Sequence, residues 1–251
     1  MPQPRWGVLN MSGGYYVSGA ERARKVGDLF RRIARRYDFI NDIQSFGLHR
    51  LWKRRVARLA GVAPGQKALD VCCGTGDLSM LLASAGAQTI GVDFTPAMLD
   101  VARQRLQRLA AKKPRLDLTF CLADALKLPF DDGQFDAVTI GYGLRNLADW
   151  REGLREIWRV TKPSGRIVVL DFGKPQNRIW RWLFFQYLQW GVPIYGLLFC
   201  GDAAAYAYIL ESLEHYPAQS GVAEAMRELS CRNVAVHQLF GGVAAINYGV
   251  K

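Results

Sequence analysis

The sequence has few histidines and an odd number of cysteines. Three histidines and five cysteines occur among 251 residues, and Cys72 and Cys73 are adjacent. This content predicts no multi-histidine metal centre, no disulfide framework and no CxxC metal site. We therefore expect no metal ligands, and we interpret the adjacent cysteines as small buried residues of a protein in a reducing cytosol.

Long apolar runs are also lacking. The first twenty residues have no apolar run of the kind a secretory signal needs, so export is not expected. The nearest candidate for a membrane span, residues 178–199, is interrupted by Gln186, Gln189, Gly191 and Pro193, which disfavours a spanning helix. Half of the residues are hydrophobic and 22% are charged. That balance excludes a disordered chain and suits one large α/β domain or two small ones.

Positive charge is present in excess, but only near the N-terminus. The net charge is +11; residues 22–58 hold twelve Lys/Arg and three Asp, a net of +9, which leaves +2 for all other residues. The basicity therefore concerns a binding partner of the N-terminal region and not the fold as a whole.

The N-terminal quarter divides into a leader and two basic helices. Residues 1–19 lack periodicity and are expected to be a flexible leader. Apolar residues at helical spacing predict an arginine-rich amphipathic helix over 21–36, and a second basic helix is expected over 50–59. Residues 37–49 are rich in Asn, Asp and Gly and are interpreted as a loop. We expect residues 20–251 to form a single domain.

From Gly65 onward, strand patterns alternate with helix patterns. Strands are expected at 67–73, 87–93, 116–123, 135–142, 166–172, 234–240 and 242–250, with helices at 77–85, 97–111, 150–160 and 219–230 and a turn at 162–165. This alternation predicts an α/β fold with a doubly wound, mostly parallel seven-stranded sheet whose last two strands form an antiparallel hairpin. Residues 176–218 interrupt the alternation as an aromatic, largely helical insertion.

The turn after the first strand is rich in glycine. Gly74, Thr75 and Gly76 follow the strand directly, and glycines there let the backbone approach a ligand closely. The third glycine of a dinucleotide fingerprint is replaced by Ser79, and Asp77 would repel a phosphate. A cationic ligand without phosphate, such as S-adenosylmethionine, therefore suits the loop better than a dinucleotide.

Acidic residues lie at the ends of successive predicted strands. Asp70 belongs to the first strand, and Asp93 ends the second, where doubly wound folds place the carboxylate that binds ribose hydroxyls. Asp124 ends the third and is expected to accept a hydrogen bond from an adenine amino group, with the backbone N–H of Ala125 beside it. Each feature alone has a simpler interpretation, a tight turn or a helix N-cap. Together, at one edge of a sheet, they favour a nucleoside ligand.

Three segments resemble one family closely. They are YDFINDIQSFGLHRLW at 37–52, GLRN at 143–146, and RVTKPSG at 159–165 followed by LDFGKP at 170–175. The chain resembles the ubiquinone/menaquinone biosynthesis C-methyltransferase family from about Val26 to its C-terminus. The departures from the family pattern are Ile40 for methionine, Gly141 for serine in some members, Ser164 for glycine, Asp171 for glutamate and Gly173 for serine.

The resemblance implies a fold, a cofactor and a substrate class. The fold would be the Rossmann-like fold of class I S-adenosylmethionine-dependent methyltransferases. The substrate would be a polyprenyl quinol, either demethylmenaquinol or a 2-polyprenyl-6-methoxy-1,4-benzoquinol, with Asn41 and Asn146 among the residues that contact it.

Methylation of a quinol ring carbon requires that the ring be oriented toward the methyl donor and that the O–H bond of a phenolic hydroxyl be weakened. We expect Arg145 to stabilise the phenolate electrostatically, although it could instead pair with Asp149 or Asp42. Tyr37 and His49 are candidates for proton relay or substrate hydrogen bonding; the alternatives are pocket lining for the tyrosine and a structural role for the histidine.

Two features predict contact with a membrane surface. The basic helix at 21–36 suits anionic lipid, and residues 178–199 are interpreted as a lid or interfacial element over an isoprenoid tail. A dimer interface or a buried core helix is the alternative for that segment, and a homodimer is possible. We expect a cytoplasmic protein associated peripherally with the inner face of the cytoplasmic membrane.

Two rival functions belong to other classes. The charge permits a methyltransferase acting on RNA or on another small molecule, but the sequence has neither an NPPY-type motif nor a Pro-Cys nucleophile, so nucleic acid is not the expected partner. A non-catalytic lipid-binding subunit is the other rival, and the intact glycine-rich loop argues against it.

Overall fold

A computed structural model describes residues 19–111, 116–192 and 204–251. The predicted leader lies outside these ranges except for Gly19, and so does the part of the predicted insertion at 193–203.

A seven-stranded sheet occupies the centre of the described chain, as predicted. The strands are β1 (Lys67–Val71), β2 (Gln88–Asp93), β3 (Leu118–Leu122), β4 (Phe135–Gly141), β5 (Thr161–Phe172), β6 (Arg232–Leu239) and β7 (Ala244–Val250). Their spatial order is β3-β2-β1-β4-β5-β7-β6. The first five strands are parallel, and β7 is antiparallel to both β5 and β6. The predicted fold class and the C-terminal hairpin are confirmed.

Helices cover both faces of this sheet. They are α1 (Ala20–Ile33), α2 (Tyr37–Ser45), α3 (Leu48–Ala60), α4 (Asp77–Ser84), α5 (Pro96–Ala110), α6 (Trp150–Val160), α7 (Arg178–Gln186), α8 (Ala204–His215) and α9 (Ala218–Glu228). Strand order reverses between β1 and β4, so their carboxyl ends leave the crevice in which open α/β sheets bind ligands.

Residues 37–49, interpreted as a loop from their polarity, are helical instead. They form α2 and the first residues of α3, joined by a turn in which Phe46 (φ 50°) and Gly47 (φ 74°) are left-handed. The interpretation was wrong because a helix needs only one apolar face, and here Ile40 is buried while Asn41 and Gln44 line a cavity.

The turn expected at 162–165 belongs to strand β5. Ser164 takes a left-handed conformation (φ 65°), and its N–H donates to the carbonyl of Lys251 at 2.9 Å. The N–H of Lys251 donates in turn to the carbonyl of Gly165 at 3.0 Å. Pairing with the end of the chain therefore extends the strand through the segment.

The described part of the aromatic insertion consists of α7, a π-helical turn at Tyr187–Gly191, and α8. The inward side of α7 and this turn lines a cavity through Phe184, Tyr187 and Leu188; Phe184 and Leu188 are buried and Tyr187 is half-buried. Within the described residues, no helix combines the length and apolar character that crossing a membrane requires.

Candidate active site

A first cavity lies at the carboxyl ends of β1, β2, β3 and β4. We call it the glycine-loop cavity, and among its lining residues are Gly74, Asp93, Phe94, Met98, Asp124, Ala125, Gly141, Tyr142 and Asn146. Of the predicted cofactor residues, the structure thus brings Gly74, Asp93, Asp124 and Ala125 together around one space.

Asp93 is held over the glycine-rich loop by backbone donors. The N–H of Gly74 donates to its Oδ2 and the N–H of Thr95 to its Oδ1, both at 2.8 Å. Burial raises the pKa of this carboxyl above its usual value. Because each carboxylate oxygen accepts more than one hydrogen bond, Asp93 still has acceptor capacity for ligand hydroxyls. Asp124 accepts from the N–H of Leu126 at 2.9 Å and is oriented in the same way.

The other predicted cofactor residues support the loop from outside the cavity. Asp70 accepts hydrogen bonds from the hydroxyls of Ser79 (2.6 Å) and Thr139 (3.0 Å), and burial raises its pKa to about 6. A Cβ at Gly76 would come within 2.7 Å of the Phe120 ring, and this glycine has φ 82°. These side chains fix the turn and do not line the cavity. Their cofactor contact stays a prediction.

Thr75 and Asp77 belong to an ionic network that the sequence does not reveal. Asp77 accepts from Nζ of Lys53 at 2.9 Å and forms an ion pair with Arg105. These two cations hold the pKa of the Asp77 carboxyl well below its usual range, against its burial. The charge that was expected to favour a cationic ligand is therefore compensated within the protein.

The same network joins the N-terminal helices to the glycine-rich loop. The Thr75 hydroxyl donates to Asp38 of α2 at 2.6 Å, and Arg105 of α5 donates to the Thr75 hydroxyl at 2.9 Å and pairs with Asp38 at 2.9 Å. The position of α2 is thus tied to the conformation of the loop.

A second cavity lies beneath α1, α2 and α7. We call it the apolar cavity; its lining includes Leu29, Ile33, Ile40, Trp52, Phe172, Phe184, Leu188, Val192 and Val243, together with the polar residues Tyr37, Asn41, Gln44, His49 and Arg145. All three predicted catalytic residues and Asn41 therefore line one cavity. Asn146, predicted to contact substrate, lines the glycine-loop cavity instead, where its side-chain amide donates to the carbonyl of Tyr142 at 3.0 Å.

Burial sets the protonation of the two proton-relay candidates. Tyr37 has its pKa raised above 10 by burial, so its hydroxyl keeps its proton near neutrality. The pKa of His49 is lowered to about 4 by burial and by the nearby charge of Lys53. Its Nδ1 lies 2.7 Å from the Ser45 hydroxyl. A neutral imidazole of such low pKa is a weak proton acceptor.

Arg145 pairs with Asp171, and neither Asp149 nor Asp42 is its partner. The structure does not show either of these alternative pairings: Asp149 caps α6 by accepting from backbone N–H groups, while Asp42 accepts from Arg50. The Arg145 guanidinium also lies 4.9 Å from the centroid of the Phe172 ring. Both members of the ion pair are buried, so the charge of Arg145 is fixed in position at the cavity wall.

The two cavities meet at a shared wall. Phe30, Tyr37 and Tyr142 line both of them. Tyr142 comes directly after β4 with φ 60°, a conformation that strains a residue with a side chain. Sequence reasoning missed Tyr142 because neither a backbone angle nor a position between two cavities is visible in a residue pattern.

The two adjacent cysteines, Cys72 and Cys73, directly precede the glycine-rich loop. Burial of the thiols raises the pKa of Cys72 and Cys73 well above the usual value, which disfavours a nucleophilic role. Cys73 is buried as expected, whereas Cys72 is only half-buried and lines the glycine-loop cavity. Across residues 19–111, 116–192 and 204–251, no group of three or more His, Cys, Asp or Glu side chains is arranged to hold a metal ion.

Comparison with known sequences identifies the relatives of the chain. A model of the ubiE/COQ5 methyltransferase family matches residues 18–251. The "Ubiquinone/menaquinone biosynthesis C-methyltransferase UbiE" of Ectopseudomonas mendocina is 40% identical, over 94% of this chain and 92% of that protein. The protein of the same name from Azotobacter vinelandii is 38% identical over the full length of both chains.

Solved structures show the same fold at low sequence identity. A SAM-dependent methyltransferase of Thermotoga maritima, described as a possible histamine N-methyltransferase, superposes with a TM-score of 0.61 at 15% identity, covering 89% of this chain and 99% of that one. A putative S-adenosyl-L-methionine-dependent methyltransferase of Methanococcus maripaludis gives 0.58 at 16% identity, covering 86% and 92%. These likenesses concern the fold.

Proposed function

The chain belongs to the ubiE/COQ5 methyltransferase family, and from that premise we propose that it transfers a methyl group from S-adenosylmethionine to a ring carbon of a polyprenyl quinol in ubiquinone or menaquinone biosynthesis. Relatives that match almost its whole length carry that activity in their names. The observation that carries the proposal is the pair of cavities that share the wall of Phe30, Tyr37 and Tyr142. Both are lined mainly by apolar groups, and the glycine-loop cavity also carries the carboxylates of Asp93 and Asp124. This adjacency supports a methyl donor bound in the first cavity beside an acceptor ring bound in the second.

The glycine-loop cavity fits S-adenosylmethionine. Carboxylates of Asp93 and Asp124 stand at its edge as acceptors for ribose hydroxyls and an adenine amino group, and Phe94 and Met98 offer apolar surface for the adenine ring. Gly74 leaves the backbone open, since a Cβ there would meet only Tyr37, at 3.8 Å. The bound cofactor supplies an electrophilic methyl group on a sulfonium.

The apolar cavity supplies the orientation of the acceptor ring. Its aliphatic and aromatic lining accommodates a quinol and the first part of its isoprenoid tail. Arg145, which Asp171 holds in position, stabilises the negative charge that develops on the phenolic oxygen as its O–H bond weakens. Asn41 and Tyr37 hydrogen-bond the ring substituents. His49 is neutral near pH 7 and, with a pKa of about 4, contributes orientation more than proton abstraction.

The test is a direct assay of methyl transfer. Purified protein is given S-adenosylmethionine and a short-chain demethylmenaquinol or a 6-methoxybenzoquinol, under anaerobic conditions with excess reductant. We expect a ring-methylated product from the reduced acceptor and little from the oxidised quinone, which has no ionisable hydroxyl to push charge onto the ring. Turnover of the oxidised form at a similar rate would contradict this chemistry, and absence of product from both quinols would contradict the substrate class.

We further propose that the enzyme acts in the cytoplasm at the inner face of the cytoplasmic membrane. Two exposed features support this. One is the arginines of the first helical segment, which consists of α1 and the 3-10 turn Ala34–Arg36: Arg24, Arg31, Arg32, Arg35 and Arg36. The other is the outward side of α7 and the following turn, with Ile179, Trp182, Leu183 and Trp190. Basic and aromatic surfaces together suit the interface of an anionic bilayer. Because the inner side of α7 lines the apolar cavity, contact of its outer side with lipid would bring that cavity close to a quinol dissolved in the membrane. The alternative is that the same aromatic surface of α7 binds a second copy of the chain in a homodimer.

A further inference from the structure

The hydroxyl of Tyr142 is buried and has no hydrogen-bond partner among the described residues. Gln44, whose side-chain nitrogen is likewise buried and unpartnered among the described residues, lines the apolar cavity as well. An unsatisfied buried polar group destabilises a folded protein, so native structures contain few of them.

The rest of Tyr142 is held firmly. Its N–H donates to the carbonyl of Leu170 at 2.7 Å, and its ring centroid lies 5.4 Å from that of Phe172. Its backbone is in the left-handed region, at φ 60°. Strain and an unpaired donor in one residue, on the wall that both cavities share, are typical of a site arranged for a ligand.

We propose that the Tyr142 hydroxyl donates a hydrogen bond to a ring oxygen of the acceptor and thereby sets which ring carbon faces the methyl donor. This inference rests on the proposed function and names a residue for it. Burial and the neighbouring charge of Asp171 raise the pKa of Tyr142 well above 10, so the hydroxyl stays a donor throughout the pH range of turnover. A second donor at Gln44 in the same cavity suits an acceptor ring with two oxygens.

The chain offers a matched control for this residue. Tyr216 is also buried, with a hydroxyl that has no hydrogen-bond partner among the described residues, and its ring packs edge-on against Trp150. It lines neither cavity. Tyr142→Phe and Tyr216→Phe therefore remove the same kind of atom from the same kind of environment, and only the first removes it from the shared wall.

Both variants should keep or raise the melting temperature, because each loses an unsatisfied hydroxyl. We expect Tyr142→Phe to lower kcat/KM for the quinol about tenfold or more, since a hydrogen bond to a developing phenolate is lost, with little change in cofactor affinity. Tyr216→Phe should stay within about twofold of the wild type. Equal kcat/KM in all three proteins, or an equal loss in both variants, would overturn the proposal.

A binding experiment separates this inference from the proposed activity. Anaerobic titrations with 1,4-dihydroxynaphthalene and with 1,4-dimethylnaphthalene are made in the presence of S-adenosylhomocysteine. Tyr142→Phe should weaken binding of the diol and leave that of the hydrocarbon unchanged; equal effects on both probes would overturn the hydrogen bond. A wild type that binds the diol through Tyr142 yet methylates no quinol would refute the proposed function alone, whereas normal methylation by Tyr142→Phe would refute the inference alone.

Discussion

The guanidinium of Arg145 donates to Oδ1 of Asp171 at 2.7 Å, while the backbone N–H of the same arginine donates to Oδ2 at 3.1 Å. One carboxylate thus fixes both the main chain and the side chain of the residue to which we assign phenolate stabilisation. Because both groups are buried, the guanidinium of Arg145 keeps a fixed position at the wall of the apolar cavity.

Asp171→Asn should destabilise the protein. The substitution leaves the buried charge of Arg145 without its counter-ion, and breaking a buried pair in this way costs about 3–5 kcal/mol. The free energy of unfolding is measured in urea. Asp100→Asn, which alters an exposed ion pair on α5, serves as the control and should change it by less than about 1 kcal/mol. Equal effects of the two variants would show that the buried pair contributes little.

Arg145→Lys should lower the rate of methyl transfer more than about tenfold, because lysine keeps the charge but loses the rigid planar guanidinium, whose Nη1 donates to both Asp171 and the carbonyl of Tyr142. The affinity for S-adenosylmethionine should change little, since the interaction of Arg145 with the phenolic oxygen strengthens mainly in the transition state. Rates and cofactor titrations on the same preparation check both statements. A fully active lysine variant would leave Arg145 with a structural role only.

Asp93→Ala should weaken the binding of S-adenosylmethionine. The substitution removes the predicted ribose acceptor and also frees the N–H groups of Gly74 and Thr95, which hold the loop. A charge-assisted hydrogen bond is worth about 1.5–3 kcal/mol, which corresponds to a ten- to hundredfold rise in Kd. Calorimetric titration measures the change, with Asp100→Ala as the control. Unchanged affinity in a folded Asp93→Ala variant would remove Asp93 from the cofactor site.

The sequence predicts the sheet, and the glycine and acidic residues at its carboxyl edge, because both follow from short local residue patterns. Each strand is a short apolar run, and the carboxyl ends of parallel strands meet, so the residue pattern alone is enough to place Gly74, Asp93 and Asp124 together. The same logic failed for residues 37–49. Their polar residues face cavities and ion-pair partners that are distant in the chain, so polarity did not indicate solvent.

Ion pairs between residues that are distant in the chain could not be predicted from the sequence. Lys53 and Asp77 are separated by 24 positions and Arg145 and Asp171 by 26, and no spacing rule links such residues. The charges at Asp149 and Asp42 suggested the wrong partners for Arg145. Tyr142 was missed for a related reason, since its importance lies in a backbone angle and in two surfaces that form only in the fold.

Stability should depend on pH through His49. Its pKa is about 4 in the folded protein, against about 6.5 in the unfolded chain, so the unfolded state binds the proton first. Stability contributed by neutral His49 is therefore present above pH 6.5 and is lost as the pH falls from 6.5 to 4, by about 3 kcal/mol in all. Urea unfolding across this range measures the slope. His49→Gln should flatten the curve, whereas His215→Gln, at an exposed position, should not; two equally steep curves would contradict the assignment.

Binding to anionic vesicles should depend on the arginines of the first helical segment. Near an anionic surface each charge contributes about 1 kcal/mol, so the double variant Arg24→Gln/Arg35→Gln should lower the partition coefficient about thirtyfold. Arg151→Gln/Arg155→Gln on α6 removes the same charge from another exposed surface and should have little effect.

Vesicles of phosphatidylcholine with and without phosphatidylglycerol separate the two contributions to this binding. Added salt should weaken the arginine-dependent part, because exposed charges are screened within about 10 Å at 0.1 M. Trp182→Gln on α7 should weaken binding to both kinds of vesicle at every salt concentration, since apolar burial is not screened. If vesicle binding by the wild type depends on neither lipid charge nor salt, the basic surface has another partner, and RNA binding should then be measured. If Trp182→Gln instead converts a dimer into a monomer in the absence of vesicles, the aromatic surface is the interface between two copies of the chain, and the membrane proposal for α7 fails.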